Sequence, residues 1–154
     1  MSKTFHLKLV TPDNILFEGD VASATLPTDS GEITILPNHV PLVSSISSGV
    51  ASMHLEDGFQ EDIAISGGFV QIKGLNQVVI LAQMAERASE LDIKTIEEAK
   101  ARAEKAMKEQ VRTSDEEYAE TAAILNRELA RYKAALKYRH RTGGHGHTPN
   151  PLAE

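Results

Sequence analysis

Three groups of side chains in this sequence have the types and spacing to do chemistry or recognition. Glu32 and His39 are a carboxylate and an imidazole, the usual partners in general acid–base work. They lie seven positions apart around Pro37, so nothing in the chain makes them converge, and no activated nucleophile stands nearby. Surface recognition suits them better than catalysis. His140, His145 and His147 include a His-x-His spacing that can hold a metal, but they stand among glycines and prolines without a scaffold. The third group is the basic run Arg127, Arg131, Lys133, Lys137, Arg139 and Arg141, which only Glu128 opposes. Three uses are open to it: a solvated helix face that complements the macrodipole, nucleic-acid binding, or docking onto an acidic protein surface. The chain has no glycine-phosphate loop and no recognisable nucleic-acid fold, which leaves the first and third.

The stretch Gly31–Leu42 holds the first group. Ile33 and Ile35 alternate with Glu32 and Thr34, the period of a half-buried strand. Pro37 ends the ladder because it has no N–H to donate. Asn38 takes a left-handed conformation more readily than most residues, and Pro41 restricts Val40 to an extended one. A histidine bracketed by two prolines has little freedom left to lose on docking.

Those residues need a frame, and composition bounds it. The chain has 154 residues, 41% hydrophobic and 25% charged, which is ordinary for a globular protein. It has no cysteine, hence no disulfide framework. No apolar run reaches membrane-spanning length, and Met1-Ser2-Lys3 leads into a strand and not into a signal-peptide core; a cytoplasmic location is the expectation. The net charge is −6, and all of it resides in residues 1–84, where three lysines face nine acids. The rest is neutral, with thirteen charges of each sign. Two electrostatically different halves predict two modules.

In the first half, Phe5, Leu7 and Leu9 alternate and Thr11-Pro12-Asp13-Asn14 turns. Strands are predicted over 15–18, 21–26, 42–47 and 50–55, the first two separated by Gly19-Asp20. Asp57-Gly58 is a tight-hairpin signal. A strand around Ile63 and Ile65 breaks at Gly67-Gly68 and resumes over 69–73; Gly74-Leu75-Asn76 turns, and residues 77–82 form the last strand. The second half is helical. Thr95-Ile96-Glu97-Glu98 predicts a capping box for one helix and Ser114-Asp115-Glu116-Glu117 another. Tyr118, Ala122, Leu125, Leu129, Tyr132 and Leu136 space as a heptad seam. The predicted fold is an all-β antiparallel sandwich followed by an antiparallel α-helical hairpin. Its domains are residues 1–85, 86–140 and a disordered tail, 141–154. The hairpin has few large apolar groups, so it needs a surface to lie on, and two such surfaces would make it a switch.

Gly31–Leu42 resembles the signature loop of the ε subunits of bacterial F-type ATP synthases, Gly-Glu-x-Gly-x-x-Pro-Gly-His-x-Pro-Leu. Thr34 stands where glycine is common, and Asn38 replaces the second glycine. Ser66-Gly67-Gly68-Phe69-Val70 and the two-helix half match as well. The resemblance implies a non-catalytic subunit that needs no cofactor and sits on the cytoplasmic face of the plasma membrane, touching the membrane only through its complex. It implies that the sandwich joins the γ subunit to the c ring. Glu32 would meet the c ring, His39 would pack on γ, and Pro37, Asn38 and Pro41 would belong to the same γ and c-ring contact. The hairpin would restrain ATP hydrolysis by extending between the α and β subunits, where Arg127, Arg131, Lys133 and Lys137 would meet an acidic segment. Some ε subunits bind ATP through Ile/Leu-Asp-x-x-Arg-Ala. Leu91-Asp92-Ile93-Lys94-Thr95-Ile96 keeps its first two residues only, so Glu86, Asp92 and Arg102 would be a vestigial nucleotide site. Apart from that resemblance, the rival reading is a free-standing adaptor that grips a partner with its hairpin, and a third, minor one is an enzyme with a pocket in the sandwich.

Overall fold

Alternation in the first half becomes eight strands in a computed structural model of the chain, which describes residues 3–109 and 114–143. They are β1 (Phe5–Val10), β2 (Ile15–Val21), β3 (Ser23–Thr28), β4 (Gly31–Ile35), β5 (Leu42–Ile46), β6 (Gly49–His54), β7 (Gln60–Gly74) and β8 (Gln77–Arg87). The hydrogen-bonded path runs β2-β1-β8-β7-β6-β3-β4, with β5 added on β7. The pairs are antiparallel apart from β1 with β8, which is parallel. The path folds over itself, so the inward residues of all eight strands form one core, among them Leu7, Leu9, Leu26, Ile35, Met53, Ile63, Ile65, Val70 and Ile80.

Three predicted boundaries move. Gly19-Asp20 does not interrupt β2, because both residues pair across to β1. β8 continues to Arg87, past the predicted end at 82 and the domain boundary at 85. Its far end is held where Arg87 pairs with Glu61 and donates to the Leu16 carbonyl. Gly67-Gly68 bends β7 without ending it. Residues before it pair with β6 and residues after it with β5, while the inward positions change from Ile63 and Ile65 to Val70 and Ile72. Gly68 has φ 140°, and a Cβ there would lie 2.0 Å from the Leu81 carbonyl oxygen. Only glycine fits.

The Asp57-Gly58 hairpin forms as predicted, with Gly58 at φ 85° and the Phe59 N–H donating to Asp57 Oδ1 at 2.9 Å.

After a short 3-10 turn (Ala88–Glu90) come α1 (Ile93–Glu109) and α2 (Asp115–Gly143). The predicted cap of α1 is corrected: Asp92, and not Thr95, starts the helix. Its carboxylate accepts the Lys94 N–H at 3.1 Å and the Thr95 hydroxyl at 2.9 Å, and its carbonyl accepts the Ile96 N–H at 3.1 Å. An aspartate three residues upstream reaches the free N–H groups first, so Thr95 becomes a donor inside the first turn. Ser114 caps α2, as predicted. α2 extends through Arg141, Thr142 and Gly143, which the sequence assigned to the tail; the rest of the predicted tail lies outside the described residues.

α2 lies between α1 on one side and β6 and β7 on the other. Having two neighbours explains a second departure from expectation. The predicted leucine–tyrosine seam is only half-covered and Tyr118 is exposed, while Ala130, Ala134 and Ala135 are fully buried. Small residues let a helix approach a sheet closely, so the alanines occupy the tightest contact. Tyr132 still meets α1, where Lys100 Nζ stands 4.7 Å from its ring centre.

Candidate functional site

The loop after β4 is held from a direction that its own sequence does not reveal. Asn38 has φ 64°, the left-handed conformation expected of it. Its N–H donates to Asn76 Oδ1 at 2.6 Å, and Asn76 Nδ2 donates back to Asn38 Oδ1 at 3.2 Å. Asn76 belongs to the turn Gly74-Leu75-Asn76, all three of which have positive φ. Two turns far apart in sequence are thereby clamped into one end of the sandwich. His39 adds a local brace. Its N–H donates to the Leu36 carbonyl at 3.2 Å, and its Nδ1 lies 2.7 Å from the Val40 carbonyl, an acceptor that places the ring proton on Nδ1. The clamped end displays Leu36, Val40 and Leu75, the last 96% exposed.

Glu32 does not join this cluster. It sits near the start of β4, whereas Pro37, Asn38, His39 and Pro41 follow the strand's end at Ile35, about 10 Å along at 3.3 Å per residue. Glu32 and His39 share no hydrogen bond or ion pair, so no acid–base dyad forms. Thr34, which replaces the common glycine, faces outward and meets Thr25 at 3.0 Å between hydroxyl oxygens.

A second surface was not singled out in the sequence. Cross-strand partners Ser45, Phe69, Leu81 and Val10 form one outward row, and Val43, Gln71, Val79 and Lys8 the next. Within them Val43 is 66% exposed, Phe69 59% and Leu81 55%. Gly68, Phe69, Leu81 and Val10 border a groove of about 400 Å3 there. An available signal was the run Val78-Val79-Ile80-Leu81-Ala82, in which both faces are apolar.

The basic run of α2 is turned largely toward the sandwich, which removes the solvated-face reading for Arg127, Arg131, Lys137 and Arg141. Arg131 Nε donates to Glu86 Oε2 at 2.8 Å and its Nη1 to the buried Glu128 at 2.9 Å. Burial disfavours the Arg131 charge, but the Glu86 hydrogen bond and charge, with Glu128 behind them, outweigh it and hold its pKa above the usual value. Arg127 reaches Glu128 at 3.5 Å and the Met84 sulfur at 3.5 Å. Lys137 Nζ donates to Ser52 Oγ at 2.6 Å. Lys133 is exposed. Sequence reasoning missed the receiving groups Ser52 and Asp62, since an acid in a strand reads as solvated, and it named Glu128 without its burial.

The candidate nucleotide residues are engaged elsewhere or apart. Glu86 binds Arg131, Asp92 caps α1, and Arg102 is exposed on α1; no hydrogen bond or ion pair joins the three. The crevice beside Glu86, Arg127 and Arg131 leaves about 10 Å3 for the centre of a water molecule to occupy, far below a nucleotide's size. Of the three histidines in the candidate metal group, His140 is exposed on α2, and His145 and His147 lie outside the described residues. No cluster of three metal-ligating side chains occurs among the described residues.

Residues 4–88 match the family model described as ATP synthase, Delta/Epsilon chain, beta-sandwich domain. The ATP synthase epsilon chain of Caldanaerobacter subterraneus subsp. tengcongensis is 38% identical over 138 residues, 90% of this chain and 98% of that one. The epsilon chain of Dichelobacter nodosus is 44% identical over 108 residues, 70% of this chain and 75% of that one. A chain in a cryo-EM structure of the Euglena gracilis mitochondrial ATP synthase, OSCP/F1/c-ring, superposes with a TM-score of 0.73 at 21% identity, over 90% of this chain and 82% of that one; at that identity it speaks for the fold alone.

Proposed function

The chain belongs to the family of ATP synthase epsilon chains, and on that premise we propose that it couples the γ subunit to the c ring in the central stalk and restrains ATP hydrolysis through its C-terminal helices. It performs no catalysis itself, and it attaches to the cytoplasmic face of the bacterial membrane only through the complex. The observation that carries this reading is the pair of exposed apolar surfaces on the sandwich, the row Val43, Phe69 and Leu81 and the clamped end with Leu36, Val40 and Leu75. Adjoining apolar surfaces on a small domain mark partner contacts. We assign the sheet face, together with His39, to γ and the clamped end, with Pro37, Asn38 and Pro41, to the c ring. Glu32, apart from that end, contributes a separate contact to the ring.

The hairpin's cations support the restraining role. They are numerous, sit on a helix of 29 residues and about 43 Å, and four of them already bind acids while the hairpin is folded. An acidic surface between the α and β subunits offers the same chemistry to the extended helix.

The test is assembly of the complex with altered chains. Phe69→Asp with Val43→Asp, at exposed positions, is expected to weaken γ binding at least about 30-fold, the loss of a contact hot spot of 2 kcal/mol or more. Lys133→Glu is expected to raise ATP hydrolysis without changing assembly, since Lys133 is exposed and, alone of the four, makes no ion pair among the described residues of the folded hairpin. Undiminished γ binding would refute the coupling role, and unchanged hydrolysis at both low and high salt would refute the charge-dependent restraint.

A further inference from the structure

The sandwich face beneath α2 contains one fully covered charge. Asp62 of β7 lies directly across from Ser52 of β6, and its side chain is 0% exposed. Its Oδ1 accepts the Ser52 hydroxyl at 2.8 Å and Gln60 Nε2 at 2.9 Å. Those strand-side partners are neutral. The countercharge comes from α2: Arg141 Nη1 donates to Asp62 Oδ2, and Lys137 Nζ stands 3.9 Å from Oδ1 while donating to Ser52. Positions 137 and 141 are one helical turn apart and therefore share a face.

Apart from the Arg131–Glu86 pair at one end, the rest of the contact has little direction. Ala64, Ala88 and Ala134 form its buried centre, with Val50, Leu91 and Tyr138 around them. Apolar burial is non-directional and small for alanine, so by itself it would let α2 slip along the sheet with little loss. A buried ion pair behaves differently. Its net contribution to stability is small, but leaving one partner without the other is strongly unfavourable, so it selects one register.

We propose that Asp62 is the latch of the folded hairpin: an anionic socket in the sandwich that receives Lys137 and Arg141 and competes for them with the acidic surface that the extended helix would reach. The proposal rests on the reading that the hairpin moves. It makes the two positions mutually exclusive at Lys137, which cannot hold Ser52 and an outside acid at once. Departure of α2 also uncovers Asp62 to water, so the carboxylate is rehydrated as its cations leave, and release needs no outside cation.

Asp62→Asn in the full chain is the direct test. The new side chain keeps an oxygen for Ser52 and Gln60 but turns an NH2 toward Arg141. Amide hydrogen exchange across 130–143 is expected to quicken about 10- to 100-fold, the loss of charged hydrogen bonds, while the amides of β1 to β8 keep their protection. Should the sandwich amides also lose protection, Arg141→Gln, which leaves the strands untouched, is expected to give the same loosening of α2. Restored protection in Asp62→Lys combined with Arg141→Glu and Lys137→Gln would establish the pair itself. Unchanged α2 exchange in both single variants overturns the latch, whatever the complex does. Faster exchange together with unaltered ATP hydrolysis in the complex would uphold the latch and refute the restraining role of the hairpin.

Discussion

Asn38 and Asn76, from turns at different places in the chain, hold each other by two hydrogen bonds, the Asn38 N–H to Asn76 Oδ1 at 2.6 Å and Asn76 Nδ2 to Asn38 Oδ1 at 3.2 Å. The loop with His39 and the turn with Leu75 therefore form one rigid surface. Rigidity before binding lowers the entropy lost on binding.

Asn76→Ala removes both bonds and is expected to cost about 1–2 kcal/mol in urea unfolding. Its effect on c-ring binding should exceed its effect on stability. Asn38→Gly keeps the left-handed backbone and should change stability by less than about 0.5 kcal/mol, whereas Asn38→Ala should cost about 1–2 kcal/mol. Equal effects of the glycine and alanine variants would show that φ 64° is not what the position requires.

Gly68→Ala should be among the most damaging single changes in the chain, at about 4 kcal/mol or more, because the added methyl overlaps the β8 backbone. Gly31→Ala is the control. It also has positive φ, 112°, but nothing lies within 4 Å of a Cβ there, so only backbone strain of about 1–2 kcal/mol is expected. Thermal unfolding of the two variants side by side checks the contrast.

A fragment ending at Glu90 should unfold cooperatively and remain monomeric, since no residue of α1 or α2 enters the main core. Ending at Ala85 would remove Arg87 with its bonds to Glu61 and Leu16 and should lower the melting temperature. A molten fragment ending at Glu90 would mean that the helices complete the core.

ATP should bind the isolated chain weakly or not at all. The position of the motif arginine is Thr95, whose hydroxyl donates to Asp92, and Asp92 is itself occupied as a cap. Glu86 is bound to Arg131. Calorimetric titration is expected to show no saturable heat below millimolar ATP. Micromolar binding, lost in Arg102→Ala, would overturn this.

The sandwich was legible because its strands alternate around a single core and its turns carry Asp-Gly, Gly-Gly or proline. What stayed hidden has a common cause: it depends on a neighbour remote in sequence. Asn76 reads as an ordinary turn residue until it meets Asn38. Asp62 reads as a solvated strand end until α2 covers it. The heptad seam of α2 assumed one partner helix, and a helix placed between a helix and a sheet instead buries its alanines. The cap of α1 was missed for a local reason, as Thr95-Ile96-Glu97-Glu98 fits the capping pattern and Asp92 offers a cap three residues sooner.

The parallel pairing of β1 with β8 sets an order of events during biosynthesis. β1 emerges from the ribosome early, yet one of its edges stays open until Gln77–Leu81 has been made. The floor on which α2 rests is likewise unfinished until β8 reaches Arg87. A further 56 residues then follow to Gly143, about 3–11 s of synthesis at 5–20 residues per second. That interval lets the nascent sandwich close before the helix that will cover Asp62 exists. A nascent chain stalled short of Lys137 would leave the ribosome with its socket open.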